Sequence, residues 1–386
     1  YVDAYVGPPE LRARAEAGSR WPAPALVREA DRLREALETG EYPSRRRAYL
    51  HKQLEGIQTT CRALAGERLP YREEVRRCFD IEPALLGEDV FEAAIEELQT
   101  LLPGNGPVRE RMVAWRERFA VPAATAKALI EPVMAELRRR TQALYPLPAG
   151  ERVEVRLVTD QPWSGYNWYR GGYASVVDIN TDLPVQAERL TGLLAHEAYP
   201  GHHTEHCLKE AGLYQQGGWA EHSIFLVSTP EAVIAEGIAN TAAHVIFAPG
   251  EMYDWQAATL YPLAGLEGDP KRERRIAEAA AALAGVSGNA ALLLHEQGLP
   301  EREVLAYVMR YGLRNEEQAR QSLRFIANPL WRSYIFTYFY GEQLMREWIG
   351  RGDRVERFGR LLREQFYPSL LERWVLEERA ACGAGQ

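Results

Sequence analysis

Cysteine is scarce: four in 386 residues, Cys61, Cys78, Cys207 and Cys382. Their spacings fit neither a disulfide framework nor a paired-cysteine zinc knuckle. Reduced thiols are therefore expected, and they suit a cytoplasmic setting. A basic excess is also missing, since 46 Lys and Arg face 54 Asp and Glu, for a net charge of −8. That balance lacks the positive face or stripe of a nucleic-acid binder. No apolar run is read as long enough to span a bilayer, so no membrane partner is expected. No signal-peptide pattern opens the chain, although it begins at Tyr1 and not at Met, which leaves what precedes it open. The oligomeric state is not legible.

What is there is an ordinary globular composition, 46% hydrophobic and 26% charged, on a chain long enough for a large core. Helical periodicity dominates the first 150 residues. "WPAPALVREADRLREALETG", "SRRRAYLHKQLEGIQTTCRALAG" and "GEDVFEAAIEELQTLLPG" space apolar residues three and four apart, with Pro or Gly at their limits. "PLPAG" at 146–150 reads as a joint. "ERVEVRLVTD" and "GGYASVVDIN" then alternate as strands and predict a small antiparallel sheet. "QPWSGYNWYRGG" between them reads as an aromatic turn or a substrate lid, and "ASVVDIN" as a strand able to pair with extended peptide at its edge. Helices resume after Asp182, a predicted N-cap, and again at Thr229–Pro230. The terminal "ACGAGQ" is expected to fray.

The predicted fold is mainly α, two-lobed, with the sheet beside an active-site cleft. Residues 1–150 form an N-terminal helical lobe and 151–386 a catalytic lobe. The latter divides into a sheet at 151–181, a histidine region at 182–210, a Glu-bearing helix at 230–247 and C-terminal helices.

"TGLLAHEAYPGHHTEHCLKE" concentrates the chemistry. Four of eight histidines, His196, His202, His203 and His206, lie within eleven residues. His196–Glu197 begins a zinc-peptidase motif, H-E-x-x-H, whose second histidine shares a helix face with the first. Pro200 stands where that histidine belongs. Proline removes a helical N–H and crowds the carbonyl of His196. It also pushes Tyr199 from helical angles, while Gly201 permits a sharp turn. In an unbroken helix His196 and His202 would sit ~9 Å apart along the axis. A break at Pro200–Gly201 can fold His202 back beside His196. Glu236, in the apolar "VIAEGIAN", is the best third ligand, because an unpaired carboxylate there is costly to bury. Asn240 and His244 follow at helical spacing and suit supporting roles. An overlapping motif, H-x-x-E-H at His202, Glu205 and His206, offers the inverted alternative with Glu205 as base.

"HEAYPGHH" followed by Glu236–Gly237 resembles the bacterial family named domain of unknown function 885, with its H-E-x-x-P-G-H core and later E-G-W-A segment. "LLPGNGPVRERMVAWRERF", "SLRFIANP" and "YFYG" are similar to flanking segments of that family, so the resemblance spans residues ~70–350. This chain departs in reading "EGIA". The resemblance implies a gluzincin-like zinc metallopeptidase relative, with Zn2+ held by His196, His202 and Glu236 and Glu197 as general base.

Several side chains are candidates for the rest of the machinery. Tyr338 is the first choice as oxyanion donor, with Tyr334 and Tyr340 as others. Arg324 is a candidate partner for a substrate carboxylate, His203 for a supporting or substrate-facing role, and Tyr340 also for a substrate contact. The expected reaction is hydrolysis of short peptides or small amides by metal-activated water. A zinc amidohydrolase or esterase, and a catalytically silent helical binding protein, are the alternatives.

Overall fold

The computed structural model describes residues 2–161 and 163–383. The chain is mainly α, 65% helical, with small sheets. The three N-terminal segments read as helices form Ala23–Thr39, Ser44–Leu64 and Glu88–Leu101, and the first is bounded by Pro22 and Gly40 as its punctuation predicts. The last helix runs Pro368–Gly383. It therefore takes in the start of the segment expected to fray, whose final residues 384–386 lie outside the described residues.

The first strand, β1 (Val2–Tyr5), is the N-terminal one. A three-stranded sheet comprises β2 (Arg152–Val158), β3 (Gly165–Gly171) and β4 (Ala174–Asn180), in the order β2-β4-β3. The two segments foreseen as strands pair parallel, from Arg152↔Ala174 to Val158↔Asn180, not antiparallel as expected. The reason is β3, whose sequence reads as a loop. The chain crosses from β2 to the far edge, runs back as β3, and returns through a hairpin to fill the centre as β4. Because "ASVVDIN" is that central strand, it has no free edge for a peptide; the outer edges belong to β2 and β3. β1 pairs antiparallel with β5 (Ile224–Leu226). Asp182 caps no helix: its carboxylate accepts the backbone N–H groups of Asp160 and Gln161 (2.9 and 3.3 Å).

Five helices position the histidine region: α1 (Ala187–Glu197), α2 (His202–Lys209), α3 (Pro230–Ile246), α4 (Glu316–Ala327) and α5 (Ile335–Ile349). Almost every side of α3 is buried, including Ala232, Val233, Ile234, Glu236, Ile238 and Ala242. A helix apolar all round is a central one. Ile234 and Ile238 join a core containing Phe91, Leu137, Leu190 and Trp348, while Ala232 and Val233 join another containing Val75, Phe79, Val304 and Phe336. Both cores thus take side chains from either side of residue 150. Contrary to the reading of hydropathy, one helical run, Pro270–His295, is long and apolar enough by length and composition to cross a bilayer (mean hydropathy 1.4). Half of that window is buried inside the fold, where Ile276, Ala279 and Val286 pack in the core.

α3 and α5 cross with almost no side-chain spacing. A Cβ on Gly237 would lie 2.5 Å from the carbonyl oxygen of Gly341, and one on Gly341 would lie 2.5 Å from that of Val233. Glycine at both positions lets the backbones touch, which brings Tyr334 and Tyr338 against the Glu236 side of α3. Gly341→Ala is expected to destabilise the metal-free protein by about 1–3 kcal/mol through overpacking. Urea unfolding checks this, and unchanged stability would mean that the helices do not meet so closely.

Candidate metal centre

α1 ends at Glu197 and α2 begins at His202, so the helix breaks where Pro200 and Gly201 require. The chain doubles back so tightly that a Cβ on Gly201 would stand 1.9 Å from the carbonyl oxygen of His196 and 2.5 Å from that of Ala195. Only glycine fits. Replacement hydrogen bonds close the break. The N–H of Gly201 donates to Ala195 O (2.9 Å), and the N–H and hydroxyl of Thr204 donate to Ala198 O (3.3 and 3.1 Å). Asn167 of β3 donates through Nδ2 to the Glu197 carbonyl (2.5 Å). A buried carbonyl at a helix end must be satisfied by something, and here the sheet supplies the donor.

The fold-back places the rings of His196 and His202 4.7 Å apart and nearly perpendicular. Glu236, from α3, completes the set: one carboxylate oxygen lies 3.4 Å from His196 Nε2 and the other 3.8 Å from His202 Nε2. Ligand atoms each 2.0–2.1 Å from a tetrahedral zinc would be about 3.4 Å apart. Ligand atoms of His196, Glu197 and His202 also lie within 4.8 Å of one another. Glu236 Oε2 is buried without a hydrogen-bond partner among the described residues. An unpartnered carboxylate oxygen beside one imidazole nitrogen, with its twin beside the other, fits a divalent cation.

Supporting bonds fix each group. His196 Nδ1 meets Asn240 Oδ1 (3.0 Å), while Asn240 Nδ2 donates to Tyr338 O (3.3 Å). The amide oxygen must therefore accept, so Nδ1 carries the proton and Nε2 is left for metal. Tyr334 donates its hydroxyl to Glu236 Oε1 (2.7 Å). Gly165 of β3 lies against Glu197, where a Cβ would be 3.2 Å from Oε1.

Burial sets the protonation states. It pulls His196 down to about 4 and His202 well below the usual imidazole value, so both are neutral at pH 7, the form that ligates. It pushes Glu236 up to about 8, against the hydrogen bond from Tyr334. Glu197 is raised by burial and then by the charge of Glu236. Tyr338 is likewise raised by burial and by both carboxylates. It stays a neutral phenol, and its hydroxyl makes no hydrogen bond to a described residue.

The inverted motif is dispersed into other work. Glu205 pairs with Lys209 (2.7 Å), and Lys209 with Glu231 (3.0 Å), which also accepts the Tyr49 hydroxyl (2.7 Å). His206 stacks on Tyr169 at 4.8 Å. His203 does not face substrate: it is fully buried, accepts at Nδ1 from Ser175 (2.8 Å) and donates at Nε2 to Glu151 (3.0 Å). The Tyr340 hydroxyl is held by the backbone of Ala84 (2.7 Å), away from the expected substrate contact. Arg324 is exposed on α4 and makes none of the contacts that bind the cluster together. His244 pairs with Arg346 (2.6 Å). An open cleft of about 450 Å3 between Glu92, Val108 and Tyr311 includes no cluster residue.

Three participants have no clear sequence signal. Asn167 and Tyr166 lie in the stretch that reads as a turn. Asp3 comes from the opposite end of the chain: the Tyr166 hydroxyl donates to its carboxylate.

No family model matches the chain, and no curated protein does. Among solved structures, it is similar to "the putative lipoprotein from Colwellia psychrerythraea" (TM-score 0.55, 18% identity) over 90% of this chain and 66% of that one. It also aligns with "a putative lipoprotein of unknown function from Shewanella oneidensis" (TM-score 0.49, 11% identity), over 92% and 72%. At these identities the first likeness speaks for the fold alone. This chain spans just under two thirds of that protein's length.

Two expectations follow. Zinc binding at pH 7 releases close to one proton from Glu236, which at about 8 is mostly protonated beforehand, while the histidines are already neutral. Calorimetry in buffers of different ionisation enthalpy measures this, and binding without proton release contradicts it. Tyr334→Phe lowers zinc affinity by about 10–100-fold without changing the circular dichroism; an unchanged affinity in chelator competition would remove Tyr334 from the centre.

Proposed function

We propose that the protein is a zinc-dependent hydrolase, a metallopeptidase that cleaves short peptides. The observation that carries this reading is the convergence of His196, His202 and Glu236 across a helix break, with a second carboxylate, Glu197, beside them. On this reading Glu197 stays off the metal and leaves the fourth position open to water, as a catalytic zinc site requires. The resemblance to the domain of unknown function 885 family, resting on "HEAYPGHH" and Glu236–Gly237, points the same way.

Zinc, when held by His196, His202 and Glu236, supplies Lewis acidity that lowers the pKa of water toward about 7 and polarises a carbonyl. The remaining steps belong to the chain. Glu197, whose proton affinity is raised by burial, takes the proton of the attacking water and delivers it to the leaving amine. Tyr338, a neutral phenol with an uncommitted hydroxyl, donates to the developing oxyanion. A face of β3 meets Glu197 at Gly165, and the outer edge of the strand makes no strand pair among the described residues. An extended peptide can add to such an edge.

Glu197→Gln is expected to lower turnover of a quenched-peptide mixture by about 10²–10⁴-fold with zinc stoichiometry unchanged. Glu205→Gln serves as the control for the inverted motif and keeps turnover within a few-fold. Full activity in Glu197→Gln, or its loss only in Glu205→Gln, would overturn the assignment. Turnover of small amides or esters with none of peptides would reject the substrate class.

A further inference from the structure

The open face of α1 leads away from the centre. Arg189, Gly192 and His196 follow one another at three and four residues, so they line one stripe of the helix. That stripe is not covered. Arg189 is exposed, Gly192 and His196 are partly so, and a Cβ on Gly192 would meet nothing within 4 Å. Arg189 stands two turns before His196, about 10 Å along the helix axis. An open path therefore runs along α1 from the imidazole of His196 to a guanidinium.

Two further arginines come to that end of α1. The pairs Ala120↔Gln186 and Val121↔Val185 tie the end of helix Val108–Glu117 to the start of α1, and the N–H of Ala187 donates to Phe119 O (2.8 Å). Arg116, in the last turn of that helix, donates through Nη1 to Leu313 O (3.2 Å), which sets it beside Arg314. Arg314 lies along α4 and donates through Nη1 to the Ser322 hydroxyl. Its guanidinium is thereby carried toward Phe325, whose ring is 6.4 Å from that of Tyr338. α1 and α4 thus both begin at the arginines and finish beside the metal centre. None of the three arginines forms an ion pair among the described residues. Arg116 and Arg314 are held by a carbonyl and a hydroxyl, which carry no charge. The acid next to Arg189, Glu188, is unpaired too: its Oε2 is buried without a partner, and burial pushes it up to about 7. Burial, followed by the charges of Arg189 and Arg314, pulls Arg116 down to about 10. Partly buried cations without a counter-charge are costly, and an anion relieves them.

We propose that Arg189, Arg116 and Arg314 bind the terminal α-carboxylate of the substrate, making the protein a carboxy-terminal peptidase that releases pieces of two or three residues. The inference rests on the zinc-peptidase reading and narrows its substrate class. Sign and reach agree. A carboxylate is the planar anion that a guanidinium fork holds bidentately, and it supplies the charge that three unpaired arginines lack. An extended chain advances at most about 3.5 Å per residue. Two or three residues therefore carry it from a carbonyl at the metal to arginines about 10 Å away. Hydrolysis of the bond at that point gives the water's hydroxyl to the new carboxylate and its other proton, through Glu197, to the amine of the released piece. A terminal amide in place of the carboxylate would leave the arginines without an anion.

The test is calorimetric and uses the zinc-loaded full chain with three zinc-binding probes: malonic monohydroxamate and its conjugates with Ala and with Ala-Ala. The malonyl unit takes the place of the first residue, and each probe is made as the free acid and as the terminal amide. In the two conjugates the acid is expected to bind about 10–100-fold more tightly than the amide, the worth of a charge-assisted hydrogen bond. Malonic monohydroxamate is too short to reach and should show little preference. Arg189→Gln and Arg314→Gln should each cut the preference about tenfold while zinc stoichiometry stays the same. Arg314→Lys, which keeps the charge but loses the fork, should reduce it partway, and it serves if Arg314→Gln does not fold. Arg324→Gln, the exposed control, should leave it intact. Equal binding of acid and amide by wild type, a preference that survives both Arg189→Gln and Arg314→Gln, or one lost only in Arg324→Gln overturns the proposal and leaves the zinc site standing. A preference just as large with malonic monohydroxamate would put the carboxylate nearer the metal than these arginines, and overturns it too. Failure to bind zinc at all would bring down the underlying reading, and this inference with it.

Discussion

The architecture of the centre depends on one steric constraint, the passage of the chain at Gly201 over the last turn of α1. No side chain can be there, because a single methyl would overlap the carbonyl of His196. That contact turns a helix that would carry its two histidines apart into two helices whose imidazoles converge. The backbone groups released by the break are taken up locally by Gly201 and Thr204 and, from β3, by Asn167. The sheet is therefore more than a neighbour of the site: it caps α1 at Glu197 and sets Gly165 against the same residue's carboxylate.

α3 shows how placement divides identical groups between structure and chemistry. Glu231 and Glu236 lie five residues apart on one buried helix. Burial alone would raise both. Glu231 is nevertheless held down at about 2, chiefly by the Lys209 ammonium, and it ties α2 to α3. Glu236 has only a phenol and two neutral imidazoles, and is pushed up to about 8. Removing a partner from a buried ion pair is costly, so the Lys209 network fixes α2, and His202 with it, without lending the centre a cation. Environments that push like groups apart are how one fold separates its roles.

How much of this the sequence discloses depends on whether a residue's partners are local. The break at Pro200–Gly201 follows from proline's missing N–H and glycine's missing side chain, both readable at two positions. Glu236 is conspicuous because a carboxylate amid Val, Ile and Ala needs a reason to be buried. Asn240 follows it by one turn. β3 is hidden because "YNWYR" puts aromatic residues on both faces and shows no alternation of polarity. The parallel pairing of β2 and β4 depends on that hidden strand. Asp3 is illegible for a different reason: its partner Tyr166 is 163 residues away. His203, Tyr340 and Arg324 show the reverse failure. Each has suitable chemistry for a site, but His203 is spent on Glu151 and Ser175, Tyr340 on Ala84, and Arg324 faces solvent.

The proposed centre consists of three side chains and one ion. An anomalous-difference map at the zinc edge, from crystals grown with zinc, tests that directly. A single strong peak is expected, bonded to His196 Nε2, His202 Nε2 and a carboxylate oxygen of Glu236, with Glu197 beside it and unbonded. A peak held by His202 and His206, or no peak between α1, α2 and α3, would contradict it.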